Sequence, residues 1–499
     1  MRCQALTASQ GLGSETESAG GYLAERAVLT LSSSSAFTEE PQEEHVAATL
    51  ERRSIDPVPE SERHGHPRSL FTLWFAANTQ ITSAVTGALT VLVGVHPLWA
   101  IVAVVAGNAL GGIPMALHAA QGPKLGIPQM IQSRAQFGVY GAALPLVLVV
   151  VMYLGYFASG SLLGGQAVAQ ITHLPTDVAI AVYALASALL AIIGYRLIHR
   201  FGWIASALSV VVFLYLTIRL ISGHDLGTVF AAPHLDFPKF LLAVSLTASW
   251  QLTFGPYVAD TSRYLPSATS VRATFWWTYG GTVLGAVWAM SFGALAYAIA
   301  GKAFKGHEVA YVVGLGGEAL LIPLLLAIAL GKFTVNVLNI YGGYMTVATA
   351  LTGFGRRAAL SQATRIGYIA GVGVVGAVIA ILGRGQFLSN FVLFLDFLLY
   401  FLTPWSSINL VDFYLLRKEK YDLDALYDPD GRYGRWAWPA LAAYVLGIAV
   451  QIPFANVEGI FVGPIAPLLG GADISWLLGL IVPGALYVAF MRRSVALRA

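Results

Sequence analysis

From residue 69 onward the chain reads as a succession of apolar runs, each about the length of a membrane span, separated by short polar links. The runs fall at roughly 70 to 94, 99 to 119, 145 to 169, 177 to 195, 200 to 222 and 239 to 258. They continue at about 273 to 299, 320 to 352, 364 to 383, 388 to 415, 437 to 455 and 474 to 491. A helix crossing a hydrocarbon layer of about 30 Å needs roughly 20 mostly apolar residues. The pattern therefore predicts an all-α polytopic membrane protein of about 12 transmembrane helices.

Residues 1 to 62 lack this pattern. They hold eleven of the chain's 26 acidic residues and the serine run from Ser32 to Ser35, which predicts a disordered acidic cytoplasmic tail. No apolar core follows basic residues near Met1, so the first span is expected to serve as the insertion signal.

Composition agrees with the pattern: of 499 residues, 57% are hydrophobic and 11% charged, against roughly 25% charged in an ordinary soluble domain. A net charge of +3 without a basic cluster interleaved with aromatics excludes nucleic acid as a partner and leaves the lipid bilayer. Cys3 is the only cysteine, so neither an internal disulfide nor a cysteine-based metal site is expected. Arg52, Arg53, Arg63, Arg68, Lys124, Arg134, Arg196, Arg200, Arg356, Arg357, Arg417, Lys418, Lys420, Arg492 and Arg493 all fall on one side of the predicted topology. Only Arg219, Lys239, Lys302, Lys305 and Arg384 fall on the other. Cytoplasmic loops keep the excess of Lys and Arg, so both termini are expected in the cytoplasm of a multi-pass plasma-membrane protein.

Two spans are interrupted. The first carries Asn78-Thr79-Gln80 inside its apolar run, and the sixth carries Ser249-Trp250-Gln251-Leu252-Thr253-Phe254-Gly255-Pro256. Pro256 has no N–H to donate and clashes with the preceding turn, and backbone left bare at that depth is tolerated only where it faces protein or a cavity. Broken helices five spans apart match two inverted five-helix repeats whose broken members surround a mid-membrane site. The alternative is a pair of ordinary kinked helices.

At these residues the chain resembles the nucleobase:cation symporter-1 family and its purine-cytosine permease branch. The resemblance rests on four blocks. The first runs from Gly122-Pro123-Lys124 through Gln132-Ser133-Arg134-Ala135-Gln136-Phe137-Gly138, and the second from Ser249-Trp250-Gln251 to Asp260-Thr261-Ser262-Arg263-Tyr264. The third is Thr334-Val335-Asn336-Val337-Leu338-Asn339-Ile340-Tyr341, and the fourth Pro404-Trp405 to Asn409-Leu410-Val411-Asp412-Phe413-Tyr414. The resemblance implies a ten-helix inverted-repeat core over 63–435 and two peripheral helices with a short cytoplasmic C-terminus over 436–499. It also implies uptake of a nucleobase or related heterocycle coupled to a cation.

The residues suit such a guest. Trp250 offers a flat face for stacking, worth on the order of 1 to 3 kcal/mol per base. Asn336 and Asn339, three apart on one helical face, each present donor and acceptor, and Gln80, Asn78 and Gln251 can supply more. The alternative role for these amides is hydrogen bonding between helices. In the third span the resemblance implies a second stacking aromatic, met by Tyr156, and an amide four residues on; Gly160 stands there, with Ser159 as the available substitute.

Three ionisable groups interrupt apolar runs: Lys332 four residues before Asn336, Asp396 in the tenth span, and His118 at the end of the second. Each is costly near mid-bilayer, about 2.5 to 3.5 kcal/mol on insertion scales. For sodium coupling the resemblance implies hydroxyl ligands on the eighth helix, where Thr334 is present and Val335 replaces the second. An ammonium facing the same pocket repels sodium and can itself titrate. The expectation is therefore proton coupling through Lys332 or Asp396, the alternative being internal contacts for both. Asp260 and Arg263, beside Arg134 of the loop after the second span, are expected to latch an inner gate; the alternative is that Asp260 caps a helix. No His-Glu-x-x-His, Gly-x-Ser-x-Gly or filter-like repeat is present, which sets aside an intramembrane hydrolase and a channel, and no cofactor is expected.

Overall fold

The computed structural model describes residues 55–193, 195–355, 362–457 and 459–496. Most of the expected acidic tail, residues 1–54, lies outside them. The last stretch assigned to that tail is ordered: Val58 is buried and donates its N–H to Gly126 O at 2.8 Å, and the Tyr427 hydroxyl donates to Ile55 O. The packed body therefore begins before residue 62.

Among the described residues, eight helical stretches are long and apolar enough to cross a membrane by themselves. One of them, Gln362–Leu416, contains two helices joined by a 3₁₀ turn over Arg384–Gln386. The remaining crossings are the shorter Trp438–Phe454 and the two interrupted spans. In order, the spans are the first (Ser69–Asn78 and Ile81–Leu92), second (Pro97–Ala119), third (Ala143–Thr172), fourth (Thr176–Ile193), fifth (Tyr195–Gly223) and sixth (Phe237–Leu252 and Gly255–Ser262). Then come the seventh (Val271–Ala300), eighth (Leu321–Phe354), ninth (Gln362–Gly383), tenth (Phe387–Val411), eleventh (Trp438–Ala449) and twelfth (Ser475–Ala496).

The packing repeats itself between halves. Span 2 packs on span 6 as span 7 packs on span 1; span 4 meets span 8 as span 9 meets span 3; span 5 meets span 8 as span 10 meets span 3. Renumbering every helix by five thus carries one set of neighbours onto the other, which is the mark of an internal repeat. Spans 11 and 12 pack on span 10 and on each other, outside this pattern.

With apolar surface on both sides of every lipid contact, close packing between spans depends on small residues. Gly87 of the first span lies against the Met290 backbone of the seventh, and Gly293 of the seventh lies against the Ala84 backbone of the first. No side chain fits at either place, so the first span is seated directly on the seventh.

The two interruptions differ in form. Gln80 is extended, with φ −147° and ψ 163°, and separates the two halves of the first span. At the sixth, Thr253 and Phe254 keep right-handed dihedrals but the ladder tightens into a turn. Thr253 Oγ1 donates to Trp250 O at 2.7 Å, and Pro256 at the second position of the next helix offers no N–H back.

Candidate functional site

The breaks bring four spans together around one locus. Trp250, 2% exposed, donates its indole N–H to Asn78 Oδ1 at 2.7 Å, joining the sixth span to the first at the edge of its break. Two residues on, Gln80 Oε1 accepts from Lys332 Nζ of the eighth span at 3.2 Å. The Lys332 side chain crosses Gly160 of the third span, where an added Cβ would lie 2.6 Å from Lys332 Cε. One turn before Gly160, the Tyr156 ring meets Trp250 edge to face, centroids 5.7 Å apart and planes at 90°. Trp250, Asn78, Gln80, Lys332, Gly160 and Tyr156 thus form a closed circuit through spans 6, 1, 8 and 3.

Within it, most polar groups are fixed by protein partners. Asn78 Nδ2 donates to Trp74 O at 2.8 Å and Thr282 Oγ1 at 3.0 Å, so with Trp250 on its oxygen this amide is a strut between spans 1, 6 and 7. Gln251 is held likewise: Nε2 donates to Asn108 Oδ1 at 2.8 Å, and Thr282 Oγ1 donates to Gln251 Oε1 at 2.7 Å. Thr253 has given its proton to Trp250 O, so in the 2.8 Å contact with Tyr156 the phenol is the donor. The Trp250 and Tyr156 rings stand perpendicular rather than parallel, and a guest sandwiched between them requires one ring to turn.

On the eighth span, Lys332, Asn336 and Asn339 share the buried face and Thr334 does not. Two residues from Lys332 is a 200° rotation at 100° per residue. Thr334 is partly exposed and its hydroxyl donates to Leu330 O of its own helix at 3.4 Å. Asn336 Nδ2 donates to Ser161 Oγ at 3.0 Å and Ser187 Oγ at 3.3 Å, tying spans 8, 3 and 4, while its buried Oδ1 faces Gly160 without a hydrogen bond. Asn339 Nδ2 is buried with no partner. Ser159 donates to Gly155 O at 2.8 Å within its own helix. Asp396, buried in the tenth span, has Asp473 of the loop before the twelfth span within electrostatic reach, and is not a member of the circuit. A small cavity lies beside the Gln80–Lys332 bond, bounded also by Ser209 and Phe213 of the fifth span, with room for about one water molecule or ion.

The loop after the second span forms a second buried assembly. Its helix, Gln129–Phe137, is capped by Asp260 across the structure: Gln129 N–H donates to Asp260 Oδ1 at 2.7 Å. Arg134, 1% exposed, donates to Thr349 O at 2.8 Å, Leu426 O at 3.2 Å and Thr352 Oγ1 at 3.3 Å. Arg263 sets its guanidinium over the Tyr264 ring.

From His118, stacked on Trp405 at 4.9 Å, a chain of amides leads to a buried ion pair. Gln129 Nε2 donates to His118 Nδ1 and Gln121 Oε1, Gln121 Nε2 to Asn409 Oδ1, and Gln136 Nε2 to Asp412 Oδ2. Asp412, fully buried, also accepts from Arg417 Nε, Tyr421 and Tyr487. The first and fourth sequence blocks are therefore halves of one hydrogen-bonded assembly.

Asn108, Thr282, Thr253 and Ser187 were not singled out in the sequence. Asn108 and Thr282 were visible as lone polar residues inside apolar runs; Ser187 and Thr253 left no distinguishing signal.

Compared with known proteins, residues 57–479 match the family described as permeases for cytosine/purines, uracil, thiamine and allantoin. The Bacillus subtilis (strain 168) protein named "Putative purine-cytosine permease YxlA" is 42% identical over 450 residues, 90% of this chain and 98% of its own. The chain belongs to this permease family. Its members transport solutes rather than transform them, so this is a multi-pass membrane transporter and not an enzyme. More distant relatives are the purine-cytosine permease fcyB of Emericella nidulans, 25% identical with 86% of each chain covered, and the hydantoin permease of Microbacterium maritypicum, 25% identical over 85% of this chain and 88% of that one. Mhp1, a nucleobase-cation-symport-1 family transporter solved with bromovinylhydantoin bound, superposes with a TM-score of 0.72 at 20% identity, covering 90% of this chain and 96% of that one. That likeness fixes the fold: a permease core of two inverted five-helix repeats with two peripheral helices.

Proposed function

We propose that this permease takes up a nucleobase-like planar heterocycle across the plasma membrane by proton symport, with both termini cytoplasmic. The observation that carries the reading is the closed circuit of contacts at the two helix breaks, which frames a locus with an indole on one wall and polar groups on the others. Trp250 and Tyr156 are the aromatic contacts, and Asn339, whose buried Nδ2 has no protein partner, is an available amide donor. Asn78 and Gln251 act as struts that hold the breaks in register.

Lys332 is the coupling group. It sits where a cation would bridge the eighth span and the break of the first, and it donates to a neutral amide, Gln80, rather than to a carboxylate. An ammonium there supplies the positive charge that a bound sodium ion would otherwise bring, and loading or unloading its proton changes the hold of the eighth span on Gln80. Asp396, with another acid as its neighbour, and Thr334, on the other helical face, are less well supported as coupling residues. Asp260, Arg263 and Arg134 act at the gate as a helix cap, an aromatic-backed cation and a carbonyl clamp. The concentration of Lys and Arg in the loops beside Arg134 supports that end as the cytoplasmic one.

Reconstitution into vesicles tests the coupling. An inward proton gradient without sodium is expected to drive accumulation of labelled heterocycle above equilibrium, and a sodium gradient at equal pH is expected to have no effect. Accumulation that follows sodium alone rules the proton reading out.

A further inference from the structure

The polar inventory of the circuit is lopsided, and the imbalance points to what kind of ring it admits. This inference rests on the reading that a nucleobase-like guest occupies the locus. Asn78 and Gln251 are committed to protein partners on both amide atoms. Gln80 spends an N–H on Ala77 O at 2.9 Å and its oxygen on Lys332. The Tyr156 proton goes to Thr253, and Asn336 Nδ2 goes to Ser161 and Ser187, which leaves the buried Asn336 Oδ1 as an acceptor facing Gly160. Against these stands Lys332, 1% exposed, whose ammonium carries three N–H groups and gives one of them to Gln80 Oε1. Its position is enforced: Gly160 leaves a notch that Lys332 Cε and Asn336 Oδ1 fill, and any side chain at 160 would displace them.

A charged donor in a water-poor site forms bonds roughly twice as strong as a neutral one. A ring edge of carbonyl oxygens, or a ring anion, satisfies it. An exocyclic amine brought against the ammonium itself sets donor against donor, a repulsive element that discriminates alongside the attraction, and Asn336 Oδ1 can accept only one such N–H where the ammonium offers several. We propose that Lys332 is the specificity-determining residue of this permease and selects planar heterocycles whose recognised edge carries carbonyl oxygens, such as oxo-purines and pyrimidine diones, over rings with an amine at that edge.

Binding to the purified, detergent-solubilised full chain tests this apart from any coupling role of Lys332, with xanthine, uracil, adenine and cytosine as probes in a thermal-shift titration. Xanthine and uracil are expected to bind roughly ten-fold or more tighter than adenine and cytosine, about 1.4 kcal/mol of discrimination. Lys332→Met, which keeps the length and removes the charge, is expected to bring the two classes within about three-fold of each other, while Lys332→Arg keeps the preference. Equal affinities in the unmodified protein overturn the inference without recourse to any variant, and so does an unchanged ratio in a folded Lys332→Met protein. Equal binding of all four probes leaves the nucleobase reading standing; failure of every probe to bind removes that reading and this inference together.

Discussion

Asp412→Ala is expected to cost this permease more stability than any other single change outside the helix contacts, about 3 to 5 kcal/mol, the range for breaking one side of a buried ion pair. Asp412 is fully buried and takes hydrogen bonds from Arg417, Gln136, Tyr421 and Tyr487, at 2.7 to 3.0 Å. Removing it strands a buried guanidinium and three neutral donors at once. Arg435 and Asp430 provide the contrast: their 2.9 Å pair is 57% and 74% exposed, and exposed pairs add little. Melting of the detergent-solubilised protein, followed by fluorescence-detected size exclusion, should show a large loss for Asp412→Ala and no change for Asp430→Ala. Equal losses would refute the network's role.

The second large effect is expected at Trp250. Substitution by alanine removes the stacking face, on the order of 1 to 3 kcal/mol, and also the bond that fixes Asn78 at the first break. Together these should lower heterocycle affinity by roughly 100-fold, since each 1.4 kcal/mol is tenfold. Trp250→Phe keeps a face and loses only the N–H, so it separates the two contributions: affinity close to the unmodified protein means that stacking dominates, and a loss equal to that of alanine means that the strut does. Trp405, equally buried but stacked on His118 and hydrogen-bonded to Ser133, is the control, and its replacement by phenylalanine should leave affinity unchanged.

The helices were legible in the sequence because a lipid-facing span must be apolar for about 20 residues whatever its neighbours are. The breaks were legible too, since Asn78 to Gln80 and Gly255-Pro256 violate that rule at corresponding places in the two halves. The direction of individual amides was not. Asn336 and Gln251 carry the same signal as ligands would, and only the neighbours in space, Ser161 and Ser187 for one and Asn108 and Thr282 for the other, show that protein groups hold their nitrogens. The partner of Arg134 was likewise hidden, because backbone carbonyls such as Thr349 O leave no mark in a residue pattern. Gly160 was read as a missing amide, and its neighbours show a notch filled from the eighth span.

The clamp made by Arg134 has a mechanical consequence. One guanidinium grips a carbonyl near the end of the eighth span and another in the segment between the tenth and eleventh, while its own short helix is pinned at its start by Asp260 of the broken sixth. A displacement of the second segment of the sixth span is therefore passed through Asp260 and Gln129 to the Arg134 contacts, so that these three regions of the chain are mechanically joined.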